Sequence, residues 1–254
     1  MILFPHAKIN LGLNIIGKRS DGFHDLETCF YPVKSLYDAL EMLPSSSGIS
    51  SLKTYNSDWD GPNEQNLVWK AYQLFLKYEP DLKPLDWHLY KKIPSGGGLG
   101  GGSSDAVSAL RLLAVKAGWK SDDERLNKMA AVLGSDCSFF LHDSPMFGSG
   151  RGEVLEPIKL SYSKFRVEFI FPGIHIYTAQ AFANIQPALR SKSISSILQQ
   201  HFSTWRKELI NDFEASVFPV YPELETIKTS LYNKGAFYAS LSGSGSTMFG
   251  LFEL

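Results

Sequence analysis

The sequence predicts a protein of mixed strands and helices, built as one large domain or two small ones, and three observations point there. An alternating apolar pattern opens the chain, a glycine tract runs directly into a helical pattern, and the composition changes near Gly148 to Pro157. The two expected parts are residues 1–155 and 156–254.

Each element follows from its pattern. From His6 to Ile16 the chain alternates, with Ala7, Ile9, Leu11, Leu13 and Ile15 on one face and His6, Lys8, Asn10, Gly12 and Asn14 on the other. That predicts a half-buried strand. Ser20-Asp21-Gly22 reads as a turn, and Thr28 to Val33 as a second strand. Pro44 to Pro62 is polar and rich in Ser, Gly and Asn, so it is expected to be a loop or irregular hairpin. Asn66 to Tyr78 has helical spacing, with Leu67, Ala71, Leu74 and Phe75 on one side and Pro80 beyond its end. Leu85 to Ile93 is expected as a strand. A helix is expected from about Ser104 to Ala117, stopped by Gly118. Another is expected from Ser121 to near Gly134, with Glu124 completing a capping box. Later come a strand at Phe165 to Phe171 and helices at Thr178 to Ile185, Ile194 to Trp205 and Pro222 to Asn233. Two closing strands flank Ser242-Gly-Ser-Gly-Ser246.

Composition removes several classes of function. With 44% hydrophobic and 20% charged residues the chain reads as an ordinary globular protein. A net charge of -1 with no basic stripe argues against nucleic-acid binding. No apolar run approaches the roughly 20 residues of a membrane span, and the N-terminus lacks the order of a signal peptide. Two cysteines, Cys29 and Cys137, do not make a disulfide framework and have no metal-ligand spacing. A cytoplasmic protein acting on small molecules, as a monomer or weak homodimer, is the expectation.

The strongest feature is Ser95-Gly-Gly-Gly-Leu-Gly-Gly-Gly-Ser-Ser104, with six glycines in ten residues. Glycine there is entropically costly unless the backbone must turn left-handed or approach something closely. A helix start presents unpaired N–H groups and partial positive charge, which favour an anion. A phosphate cradle is the reading. The Walker A pattern is excluded, because no lysine follows these glycines. Ser103 and Ser104 add hydroxyls that could cap the helix, touch phosphate or hold Mg²⁺.

Pro94 to Ser104 resembles the ATP loop of the GHMP kinases, and Leu241-Ser-Gly-Ser-Gly-Ser246 resembles their C-terminal glycine motif. His6-Ala-Lys-Ile-Asn-Leu-Gly-Leu13, Arg19-Ser-Asp-Gly-Phe-His24, Leu133-Gly-Ser-Asp-Cys137 and Asn211-Asp-Phe-Glu214 are similar to segments of one branch of that family. That branch phosphorylates a methyl-branched polyol conjugated to cytidine diphosphate, in the non-mevalonate route to isoprenoids. The resemblance implies an α+β fold in two parts, an N-terminal domain with the ATP loop and a ferredoxin-like C-terminal domain, with the active site between them. It implies ATP as phosphoryl donor, with Mg²⁺ expected alongside.

It also implies roles for particular residues. By spacing alone Asp136 suits a turn or cap and Lys8 a surface strand position. The resemblance makes Asp136 the catalytic base and Lys8 the cation that orients and polarises the substrate hydroxyl, with Asn10 on the same strand face binding substrate. It assigns Pro94, Ser95, Gly96, Gly97, Gly98, Leu99, Gly100, Gly101, Gly102, Ser103 and Ser104 to ATP, and Asn66 to the adenosine pocket. Phe23 and His24 become part of a cytosine pocket, the ring stacking on the base and His24 bonding its edge; by sequence alone they are loop aromatics. Thr178 and Phe182 supply a hydroxyl contact and the opposing wall; by pattern alone they are a helix start and a helix core residue. Two departures stand out: Phe23 stands where the family often has tyrosine. Asp105 stands where it often has asparagine, adding negative charge beside the loop.

Overall fold

The computed structural model describes residues 1–57, 61–183 and 185–254. In chain order its strands are β1 (Ile2–Leu3), β2 (His6–Lys18), β3 (His24–Tyr37), β4 (Ala39–Pro44), β5 (Ser51–Tyr55), β6 (Leu85–Tyr90), β7 (Met146–Ser149), β8 (Val154–Pro157), β9 (Phe165–Ile170), β10 (Tyr238–Leu241) and β11 (Met248–Glu253). The helices are α1 (Leu67–Leu76), α2 (Gly101–Ala117), α3 (Glu124–Leu133), α4 (Thr178–Ala183), α5 (Ile194–Leu198), α6 (Trp205–Glu208), α7 (Phe213–Val217) and α8 (Pro222–Asn233). They group into two units that interleave along the chain.

The first unit holds Met1–Ala7, Val33–Ser95 and Gly100–Asp143. Its sheet runs β1-β4-β6-β5, antiparallel except for the parallel pair β5 and β6. Leu40 and Met42 on β4, and Leu85, Trp87 and Leu89 on β6, alternate onto one face. That face is covered by Val68, Ala71 and Phe75 of α1, Ala106, Ala109, Leu110 and Leu113 of α2, and Leu126 and Met129 of α3. All of these are buried.

The second unit holds Lys8–Pro32, Gly96–Leu99 and Ser144–Leu254. Strands β3, β7 and β8 pair antiparallel in a sheet of order β2-β3-β7-β8. A separate antiparallel sheet of order β10-β11-β9 packs against α8, whose Leu224 and Leu231 are fully buried.

Several elements differ from expectation for identifiable reasons. Strand β2 is buried on both faces, not half-buried: Lys8 is 3% and Asn10 2% exposed. Its polar face survives burial because its side chains bond to one another, as described below. The polar stretch Pro44 to Pro62 contains β5, held by its pairing with β6; residues 58–60 of that stretch lie outside the described residues. Helix α2 begins at Gly101, not near Ser104, so two glycines of the tract form its first turn. Helix α3 is capped by Asp123, whose carboxylate accepts from Arg125 N–H, and not by Ser121. Strand β6 stops at Tyr90, and Ile194 to Trp205 is broken into α5, a short 3₁₀ turn and the start of α6. Residue 184 of the expected helix Thr178 to Ile185 lies outside the described residues.

Candidate active site

The glycine tract alternates conformation. Gly96, Gly98 and Gly100 have φ of 69°, 77° and 69°. Left-handed backbone at every second residue turns successive N–H groups into a concave row, the geometry that accepts anions. Gly100 caps α2 with no side chain to occupy the helix-start donors. The Ser104 N–H already donates to Gly100 O at 2.9 Å. The donors left at the helix start are therefore those of Gly101, Gly102 and Ser103. Ser104 itself is 2% exposed, and with Ser108, Arg111 and His6 it lines a groove. Ser103 hydrogen-bonds Cys137, whose thiol burial pushes up to about 11. Burial alone pushes the Cys29 thiol up further. Both thiols are free and act as packing groups.

Within the second unit, the first half of the tract is fastened to the C-terminal glycine motif. Ser242 Oγ donates to Gly98 O at 2.9 Å, and Thr247 N–H donates to Gly97 O at 3.3 Å. A side chain on Gly98 would place its Cβ 1.9 Å from Ser242 O, so only glycine fits. Asn211, 1% exposed, holds that motif by donating from Nδ2 to Leu241 O and Gly243 O, both at 2.9 Å. Glu214 accepts from Ser240 Oγ and Leu241 N–H, each at 3.0 Å. In sequence Asn211 to Glu214 is legible only as a segment similar to one of the family's, without this bracing role.

Lys8 and Asn10 are brought together on β2. Lys8 Nζ donates to Asn10 Oδ1 at 2.7 Å, Asn10 Nδ2 donates to Thr28 Oγ1 at 2.9 Å, and Thr28 donates to Gly12 O at 2.7 Å. This buried chain fixes the lysine rotamer. In sequence Thr28 is legible only as the start of a strand, with no sign of this role. The Lys8 backbone N–H donates to Leu99 O of the glycine tract at 3.0 Å.

The aromatic group is partly assembled. His24 stacks on Phe182 with centroids 4.7 Å apart and planes at 14°, and Phe213 meets Phe182 edge-on at 4.8 Å. The face of Phe182 expected to oppose Phe23 therefore carries His24, because β3 starts at His24 and projects it onto α4. Phe23 is 52% exposed, with the Arg151 guanidinium 4.8 Å from its centroid. Thr178 Oγ1 lies 3.4 Å from Ser244 Oγ.

In the first unit, Asp136 is half-buried in the turn that follows α3, next to buried Cys137 and Phe139. Asn66 caps α1, its side-chain oxygen accepting from Val68 N–H at 2.9 Å, which leaves its amide donors for a ligand. Behind the start of α2 lies a buried ionic group that sequence reading missed. Lys91 Nζ donates to Asp38 Oδ2 and, at 2.6 Å, to Asp105 Oδ2. Asp38 Oδ1 also accepts from Lys92 N–H at 2.5 Å and Ile93 N–H at 2.8 Å. Burial, and then Asp38, push the Asp105 carboxyl up to about 7 against the pull of Lys91. Burial lowers the Lys91 ammonium, but the two carboxylates outweigh it and leave it raised. Among the described residues no group of three His, Cys, Asp or Glu is placed to hold a metal ion.

The loop, its helix and the brace of the C-terminal motif define a class. The chain belongs to the GHMP kinase family: the family's N-terminal domain matches residues 66–144 and its C-terminal domain residues 185–254. It is similar along its length to the 4-diphosphocytidyl-2-C-methyl-D-erythritol kinase of Bacteroides fragilis, 48% identical, covering 100% of this chain and 92% of that one. The protein of the same name from Bacteroides thetaiotaomicron is 49% identical with the same coverage. A crystal structure of 4-(cytidine 5'-diphospho)-2C-methyl-D-erythritol kinase matches with a TM-score of 0.80 at 31% identity, over 99% of this chain and 90% of that one. Homoserine kinase from Cytophaga hutchinsonii shares the fold, with a TM-score of 0.73 at 17% identity over 97% of this chain and 85% of that one.

If the glycine tract is the cradle, its two kinds of glycine respond differently. Gly100→Val puts a β-branched residue at φ 69° and is expected to raise KM for ATP at least about tenfold. Gly102 is helical, and a Cβ there meets only Leu67 Cδ1 at 3.4 Å, so Gly102→Ala is expected to stay within about twofold. Steady-state titration of ATP checks both. Equal effects would make the tract a linker.

Proposed function

We propose that this kinase transfers the γ-phosphoryl group of ATP to the 2-hydroxyl of 4-diphosphocytidyl-2-C-methyl-D-erythritol, giving ADP and the 2-phosphate, a step in the non-mevalonate route to isoprenoid precursors. The observation that carries this reading is the full-length similarity to relatives of that name, at 48% and 49% identity. In sequence, the division into 1–155 and 156–254 contains each family match whole.

The substrate oxygen attacks the γ-phosphorus, the bond from that phosphorus to the bridging oxygen breaks, and ADP leaves with the electron pair. Asp136 takes the hydroxyl proton. Lys8, fixed by Asn10, neutralises charge that builds on the transferring group. The N–H row of the glycine tract, with Gly96, Gly98 and Gly100 left-handed and Gly101 to Ser103 helical, holds the ATP phosphates. Mg²⁺ is expected to accompany ATP; among the described residues no group of three His, Cys, Asp or Glu is placed to hold it. Asn66 borders the adenosine. A cytoplasmic site of action on a small-molecule substrate belongs to the same reading. Among the described residues no helix is long and apolar enough to cross a membrane.

Phe23, His24 and Phe182 hold the cytosine, and Thr178 contributes its hydroxyl. Because His24 rests on Phe182, the base enters by displacing that imidazole or by extending the stack on its open side. Phe182→Ala is expected to weaken binding of the cytidyl substrate by about 1–3 kcal/mol, the loss of one base–aromatic stack, with KM for ATP unchanged. Parallel determination of both KM values checks this; a rise in KM for ATP alone, or in neither, rules the pocket out.

A further inference from the structure

The polar chain that starts at Lys8 has a direction, and its two ends impose it. The Lys8 ammonium only donates, so it faces Asn10 Oδ1, at 2.7 Å. Gly12 O only accepts, so it takes the Thr28 hydroxyl proton, at 2.7 Å. With that proton spent, Thr28 Oγ1 has lone pairs left to offer, and Asn10 Nδ2 donates to it at 2.9 Å. Thr28 is fully buried, and its orientation is fixed as well. On β3 it lies opposite Gly148 of β7, and a Cβ built on Gly148 would come within 3.5 Å of the Thr28 methyl. A β-branched side chain is stiff at χ1. With the methyl packed over Gly148, the hydroxyl is held toward Asn10. Gly12, at φ 69° inside β2, is left-handed, and such a residue re-aims the groups around it in a strand. The Phe30 ring, further along β3, lies 5.4 Å from Lys8 Nζ and attracts the ammonium without specifying a direction.

Taking Lys8 as the cation that neutralises the transferring group, as in the reading above, we infer that Thr28 is a positioning residue for phosphoryl transfer. Its hydroxyl acts through Asn10 and not on the substrate. Without it, one Asn10 N–H is left buried and unpaired, which costs more than the bond itself. The carboxamide then turns to find another acceptor and withdraws Oδ1 from Lys8. The lysine stem is flexible and its ammonium a point charge, so the loss of that one directional partner lets the charge drift. A misplacement of about 1 Å weakens transition-state stabilisation while leaving ground-state contacts in place. The ATP phosphates stay on the glycine tract, so the effect falls on turnover and not on KM for ATP.

Thr28→Val keeps both branches of the side chain and removes only the hydroxyl. Its kcat is expected to fall about tenfold, with KM for ATP within about twofold of wild type. Thr28→Ser restores the hydroxyl and is expected to recover most of that loss. A packing role would give the opposite order, since valine keeps the methyl over Gly148 and serine lacks it. The Lys8→Met background separates positioning from general damage. There Thr28→Val is expected to change kcat by less than about twofold, because no ammonium remains to be positioned. Nuclear magnetic resonance of ¹⁵N-labelled wild type needs no variant: the Thr28 hydroxyl proton is expected to exchange slowly and to show a cross-peak to the Asn10 side-chain amide. A kcat for Thr28→Val equal to wild type overturns the inference while the reading of Lys8 stands. So does an equal drop in the Lys8→Met background, or a Thr28 hydroxyl proton in fast exchange with water. A kcat for Lys8→Met near that of wild type overturns both.

Discussion

Asp136→Asn is expected to lower kcat by at least about 100-fold, the usual scale for removing a positioned proton acceptor. The amide fills the same volume in the turn after α3 but cannot take a proton from an attacking hydroxyl. Because Cys137 and Phe139 beside it are fully buried, the turn should persist, and with it the melting temperature and ATP affinity. Lys8→Ala belongs to the same prediction, with a loss of similar size from charge stabilisation. It also strands Asn10 Oδ1, so Lys8→Met, which keeps the packing of the aliphatic stem, separates lost charge from lost structure. Turnover under saturating substrates, measured beside a thermal melt and an ATP titration, checks both positions. A variant with kcat near that of wild type takes its residue out of the mechanism.

What the sequence made legible was local. Alternation placed β2, and period-3.6 spacing placed α1 and α8, the last of them from Pro222 to Asn233 as expected. The glycine tract announced its own backbone, because left-handed φ at alternate positions is what glycine is used for. What stayed hidden was set by partners far away in the chain. Strand β5 is polar and short; it exists because β6 pairs with it, and only Leu52 reaches the core. Asp123 displaced Ser121 as the cap because its carboxylate also grips the Arg125 guanidinium, at 2.8 and 2.7 Å. Ser242 and Gly98, or Asp38 and Lys91, are far apart in sequence, and nothing in either neighbourhood signals the other. Lys8 read as a surface lysine for the same reason: its burial depends on Asn10 and Thr28 forming a polar chain across two strands. The candidate site was thus readable as residue types carried by resemblance, while the bracing that makes those residues rigid was not.

The cytidyl group is remote from the reacting hydroxyl, so its binding energy serves to hold the reacting atoms in line rather than to react. Removing it should therefore cost turnover as well as affinity. A purine in its place should be refused, because the edge that bonds cytosine would be left with unpaired polar groups, a loss on the order of 100-fold or more. The decisive measurement is kcat/KM with ATP for three acceptors: 4-diphosphocytidyl-2-C-methyl-D-erythritol, its adenyl counterpart and unconjugated 2-C-methyl-D-erythritol 4-phosphate. The cytidyl compound is expected to exceed both others by at least about 100-fold. Equal values across the three, or faster turnover of mevalonate or homoserine than of the cytidyl compound, would contradict the assignment while leaving a GHMP kinase in place.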